Sequence, residues 1–204
     1  MPVSRVAPPE SSQTRLTTAL AAFSKIRADH TRWMNFSPAT SGRERRLHPH
    51  AVYSVRLIRF LQGKPLSATL KRVGWMYFLR DSGSGLMCGE VSIVSGRHKN
   101  ARLSQGPFVK AAFQSIEKSI RDPRIGRRHY ELRSLRLESI HLYCLWLKVD
   151  EGAEYFVPVT SNGAVLKKGI WISRREFTNA LRLEGERVQA AREHMLRLLK
   201  ARQA

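Results

Sequence analysis

Acid is what this chain has least of. Sixteen Asp and Glu stand against thirty-six Lys and Arg, for a formal charge of +20 and a sequence pI near 11.1. A field of that sign attracts anions, which means nucleic acid, anionic lipid or an acidic protein. The few carboxylates can be taken singly. Glu90, Glu131, Glu138 and Glu154 fall on expected strands, at spacings that pair none of them for acid–base work. Glu117 with Arg121 and Glu193 with Arg197 are helix i,i+4 pairs, and Glu176 has the place of a cap. Catalytic residues are not expected.

Other absences narrow the function further. Two cysteines, Cys88 and Cys144, make neither a metal cluster nor a disulfide framework, and both sit where strands and buried free thiols are expected. No apolar run reaches the length of a membrane helix, and the N-terminus has no apolar h-region. Arg5, Arg15, Lys25 and Arg27 among Ser and Thr give a trace of organelle presequence, which Pro8, Pro9 and Glu10 weaken. The expected location is cytoplasmic, with an organellar matrix as the alternative. Neither G-x-x-x-x-G-K-S/T nor a strand–G-x-G-x-x-G–helix occurs. Asp81-Ser82-Gly83-Ser84-Gly85 lacks the outer glycine of G-x-S-x-G and precedes a strand, so it is a turn. His48 and His50 flank Pro49 with no ligand nearby. His141 and Cys144, three apart on an expected strand, leave opposite faces. No metal and no cofactor are expected, and His141, which interrupts an apolar run, is the histidine that needs a partner.

What is present is a globular pattern. Ile140 to Leu147 is apolar at nearly every position, the signature of a strand covered on both faces. Asp150-Glu151-Gly152-Ala153 then turns the chain, and Tyr155 to Val159 resumes as a second strand. Pro158 has no ladder donor, so that strand lies at an edge or contains a bulge. Upstream, Val52 to Leu61 reads as a strand or a short helix, and Ser67 to Val73 as a helix stopped by Gly74. Trp75–Leu79 and Leu86–Val94 are strands, a basic loop follows, and Pro107 opens a helix that ends near Ile120. Ser173-Arg174-Arg175-Glu176 is a capping box, and Gly185 is expected to break or kink the helix it opens. A last helix from Glu186 carries Val188, Ala191, Met195, Leu198 and Leu199 on one side.

The expected fold is α+β: an antiparallel sheet of four to five strands in the order ββα-ββα, with helices packed on one face. Residues 1–50 form an N-terminal arm, made of a disordered start, an amphipathic helix over 15–27 and a basic linker. Residues 51–204 form a single α+β domain ending in a basic amphipathic helix.

The remaining signal is cationic. Arg43, Arg45 and Arg46 form one cluster, Arg121, Arg124, Arg127 and Arg128 a second, and Lys167, Lys168, Arg174 and Arg175 a third. Arg97-His98-Lys99 with Arg102 adds another. Short connections would bring the loops 121–129 and 161–175 to one end of the sheet, where their cations could neutralise several phosphates. Trp33 and Phe36, beside the first cluster, are the exposed stacking candidates. Arg outnumbers Lys 26 to 10, which fits phosphate recognition or the codon usage of a GC-rich genome. Two functions follow for a non-catalytic basic protein. One is binding of RNA or DNA through backbone phosphates without base specificity. The alternative is docking on an acidic protein as a subunit, inhibitor or adaptor. Phosphate binding calls for a convergent Arg patch, protein docking for an apolar stripe on helix 186–201 that the core leaves bare.

Overall fold

A parallel pair of strands joins two antiparallel meanders into one sheet. In the computed structural model, which describes residues 7–30, 45–81, 85–123, 129–149, 152–163 and 165–201, eight strands run in the order β4-β3-β2-β1-β5-β6-β7-β8. The first half comprises β1 (Arg45–Val55), β2 (Leu70–Asp81), β3 (Gly85–Val94) and β4 (Arg97–Ser104). The second comprises β5 (Tyr130–Leu137), β6 (Leu142–Val149), β7 (Glu154–Thr160) and the two-residue β8 (Ile172–Ser173). Only β1 and β5 pair in parallel; every other neighbouring pair is antiparallel. Among the described residues five α-helices accompany the sheet: α1 (Glu10–His30), α2 (Leu57–Leu61), α3 (Leu66–Thr69), α4 (Pro107–Ile120) and α5 (Arg174–Ala201). The protein is thus α+β with a mostly antiparallel sheet and an N-terminal helix, but four to five strands become eight. Each half is four strands followed by a long helix, rather than ββα.

Helices cover both faces, not one. The strands require it, because β2 alternates Trp75, Tyr77 and Leu79 with Met76 and Phe78, all buried. The odd set meets Leu16 and Leu20 of α1, and the even set meets Val109, Phe113 and Ile116 of α4. In the second half, Cys144 and Trp146 lie with Phe177, Ala180 and Leu181 of α5, while Leu145 and Leu147 lie under α4. A strand apolar on both sides loses its hydrophobic stabilisation unless both sides are covered. Helix α4 touches β3 and β7, which four strands separate, so the sheet curls round it.

Several local expectations are corrected. The segment after Thr69 is strand: α3 is a single turn, and Gly74 lies so close to β3 that a Cβ there would sit 2.5 Å from the Val91 carbonyl oxygen. That glycine serves strand packing rather than ending a helix. The basic loop 97–104 is edge strand β4, with Ala101 and Leu103 turned towards α1 and Arg102 and Ser104 away. Charged side chains on an edge discourage pairing with another chain. Strand β5 holds Glu131 as expected, but Glu138 lies outside it: Glu138–Ile140 is a 3-10 turn that leads into left-handed His141 (φ 49°). His141 therefore precedes β6 instead of lying in it.

Other features match their sequence signals. The β6–β7 hairpin closes through Val149 N–H to the Ala153 carbonyl at 2.8 Å. The register slips opposite Pro158, between Tyr143 and Cys144, as a bulge requires. Ser173 and Glu176 form the capping box, with Ser173 N–H donating to Glu176 Oε2 at 2.7 Å and Glu176 N–H to Ser173 Oγ at 3.3 Å. Helix α5, however, runs unbroken through Gly185. The absent side chain makes room for α2, since a Cβ would lie 3.0 Å from a Leu61 methyl and 3.1 Å from a Leu57 methyl.

Candidate docking site

The cations expected to converge are placed only in part. Arg43, Arg124, Arg127 and Arg128, with Trp33 and Phe36, lie outside the described residues. Arg45 and Arg46 begin β1, opposite Arg80 and Leu79. Arg121 follows the last turn of α4 and pairs with Glu117 at 3.4 Å. The chain leaves β7 at Thr160, which shares a cleft with Asn162 and with Phe108 in the first turn of α4. The loops 121–129 and 161–175 therefore begin at opposite ends of that helix. After exposed Lys167 and Lys168 the chain returns along β7, and Arg174 reaches Glu154 at 3.4 Å. This is the face that α5 covers, opposite α4. Exposed Arg175 follows it. An edge strand and a curled sheet, neither visible locally, decide where α4 ends.

A different surface is assembled instead. In the first half of α5, Phe177, Ala180 and Leu181 are buried against β6, β7 and the Leu137–Leu142 turn. At 100° per residue, that same helix face continues as Val188, Met195 and Leu199, flanked by Ala191, Leu196 and Leu198. Here the sheet has ended. Met195 is 63% exposed, Leu198 53%, Leu199 51% and Leu196 48%. Beside the stripe α2 presents Ile58, 69% exposed, and the two helices enclose an open groove of about 550 Å³. Leu57, Ile58, Leu61, Val188 and Leu196 supply its apolar surface; Arg56, Arg59 and Arg192 supply cations and Glu193 one acid. Scattered exposed leucines are ordinary, but a contiguous stripe of this kind, rimmed by charge, marks an interaction surface. The α5 half of this groove was legible in the periodicity of 186–199. The α2 half was not, because Val52–Leu61 holds a strand end and a one-turn helix in ten residues.

Polar chemistry is also buried beneath α4. His50 is 1% exposed; its Nδ1 lies 2.6 Å from the His48 carbonyl and its Nε2 2.7 Å from Ser134 Oγ. A carbonyl only accepts, so Nδ1 carries the proton and Nε2 accepts from Ser134. Tyr143 in turn donates its one hydroxyl proton to Ser134 at 2.6 Å, and Met76 Sδ lies 3.0 Å from the same oxygen. Burial pulls the His50 pKa down to about 4, against the opposing hydrogen bond to His48. Burial likewise pushes Cys88 up to about 12 and Cys144 well above the ordinary thiol value. Nearby, Arg136 spans the curl to hold Glu90 through two bonds of 2.9 and 2.7 Å.

Among the described residues, no three His, Cys, Asp or Glu side chains are grouped to hold a metal, and no helix is long and apolar enough to cross a membrane. No protein-family model, curated protein or solved structure matches the chain.

Proposed function

We propose that this protein is a non-catalytic docking module that holds an acidic amphipathic helix of a protein partner in the groove between α2 and α5. The single observation behind this is the apolar face of α5, which continues for about three turns beyond Val188, the last residue packed against the core, to exposed Met195, Leu196, Leu198 and Leu199. Leaving such a stripe in water has a cost that binding recovers, and a groove beside a helix suits an amphipathic helix with apolar residues at i, i+3, i+4 and i+7. Charge selects the partner. Three arginines and one glutamate line the groove, in a chain of net charge +20. A second copy would bring the same sign to the same place, whereas an acidic helix meets complementary charge on its approach. Binding of RNA or DNA phosphates gives the stripe no role, and the described cations expected for it, Arg121, Lys167, Lys168, Arg174 and Arg175, spread over two faces.

The test is fluorescence anisotropy with two designed helical peptides of one apolar pattern, flanked by Glu in one and by Lys in the other. A single-stranded RNA and a duplex DNA are run beside them across a salt series. The acidic peptide should bind at about micromolar affinity, tenfold or more tighter than the basic one. Leu196→Glu, at an exposed site that does not endanger folding, should abolish that binding. Equal binding of both peptides, or self-association in the ultracentrifuge that Leu196→Glu removes, would overturn the reading. Tight, salt-dependent nucleic-acid binding that is lost in Lys167/Lys168/Arg174/Arg175→Ala and unchanged in Leu196→Glu would replace it with the phosphate reading.

A further inference from the structure

The two walls of the α2–α5 groove differ in charge. On the α5 wall Arg192 stands next to Glu193, which accepts from Gln189 Nε2 at 3.1 Å, so that wall is neutral as a whole. On the α2 wall Arg56 and Arg59 stand about one turn apart, and the helix Leu57–Leu61 holds no acid. Both arginines are exposed, and neither has an ion pair among the described residues. Ile58, 69% exposed, lies between them in the chain.

The α2 wall is anchored through its main chain and its apolar side. Phe60 is buried in the same cluster as Phe177 and Leu181 of α5, and Leu57 and Leu61 lie against Gly185. The Arg56 N–H donates to the Thr69 carbonyl at 3.0 Å, and the Arg56 carbonyl accepts from Phe60 N–H at 3.1 Å. The backbone that carries both guanidiniums is therefore held before any partner arrives, which lowers the ordering cost of binding. Apolar contact along α5 supplies affinity with little regard to the partner's charge, whereas charges at the rim decide which partner is accepted. In this groove the uncompensated rim charge is on α2.

We propose that Arg56 and Arg59 select the partner, whose helix carries two carboxylates one turn apart on the flank that faces α2, beside an apolar residue that meets Ile58. This rests on the docking function proposed above and adds the residues that give it specificity. The other flank, over Arg192 and Glu193, accepts either sign. General attraction to a chain of net charge +20 acts on any acid of the partner, while this recognition depends on where the acids stand.

The test is fluorescence anisotropy of the full chain with three designed helical peptides of one apolar stripe. The first has two Glu at i and i+4 beside the stripe, the second has the same two Glu on the opposite side of the helix, and the third has Lys in place of the flanking Glu. The first should bind about fivefold more tightly than the second, the effect of two exposed ion pairs, and tenfold or more tightly than the third. Arg56/Arg59→Gln, a change at exposed side chains, should still bind the peptides but bring all three within about twofold of one another. Arg56/Arg59→Glu should make the Lys peptide the preferred one. Arg187/Arg197→Gln removes the same charge from positions of α5 outside the groove and should leave the ratios unchanged. Failure of all three peptides to bind the wild-type chain overturns the docking function and this inference with it. Equal binding of the first two peptides, or a preference that survives in Arg56/Arg59→Gln or falls equally in Arg187/Arg197→Gln, overturns this inference alone.

Discussion

Acidification should expose the cost of keeping His50 neutral. In the folded protein its pKa lies at about 4, against 6.5 for a free imidazole. Between these values the unfolded chain takes up a proton that the folded chain refuses. Stability is therefore complete above about pH 6.5, falls as pH drops towards 4, and receives no further loss from this group below that. At about 1.4 kcal/mol per pH unit, the difference amounts to about 3 kcal/mol, a large part of the 5–15 kcal/mol typical of a domain. His98, whose pKa burial and the Arg72 charge also lower, adds in the same direction. Urea unfolding followed by tryptophan fluorescence at pH 7, 5.5 and 4, on wild type and His50→Gln, isolates the His50 share. The variant should start about 1–2 kcal/mol lower, having lost the bond to the His48 carbonyl, and then fall by about 3 kcal/mol less across the window. Carboxylate titration occurs in both proteins and cancels. Parallel losses in the two proteins would refute the assignment, as would an NMR titration in which every histidine protonates between pH 6 and 7.

Three further outcomes test the packing. Gly185→Val should cost about 1–3 kcal/mol in urea unfolding by forcing α2 away from α5, while Gly185→Ala should be near neutral, its methyl meeting only the mobile ends of Leu57 and Leu61. Glu90→Ala should destabilise by about 2 kcal/mol, less than a fully buried pair because both partners keep some contact with water; Glu90→Ala with Arg136→Met should recover most of that loss. Cys88 and Cys144, free and buried on opposite faces of the sheet, should resist a thiol reagent at pH 8 and react fully only in denaturant.

Local signals carried much of the fold. The unbroken apolar run through Leu147 marked a strand covered on both sides, Pro107 opened α4, and Ser173 with Glu176 started α5. Each works through groups a few residues apart. Errors arose where a distant partner decides. Gly74 and Gly185 have the form of helix stops, yet each is a glycine because another element passes within contact distance. The Arg97–Ser104 strand has two inward apolar residues, too few for a period to show, and only pairing with β3 makes it a strand. For the candidate site, the α5 stripe was visible as a helical period, whereas α2 beside it was not.

From the sequence alone come the α+β class, the strong positive charge and the amphipathic C-terminal helix, because composition and short-range periodicity are properties of neighbouring residues. Tertiary structure alone decided that Arg121 and Arg174 lie on opposite faces of the sheet, that the sheet curls round α4, and that Arg133, Lys148, Arg174 and Trp146 share a cavity. It also decided that the core ends halfway along α5. The same periodic stripe is core where the sheet lies beneath it and a docking surface where the sheet has run out, and no residue within the stripe records where that edge falls.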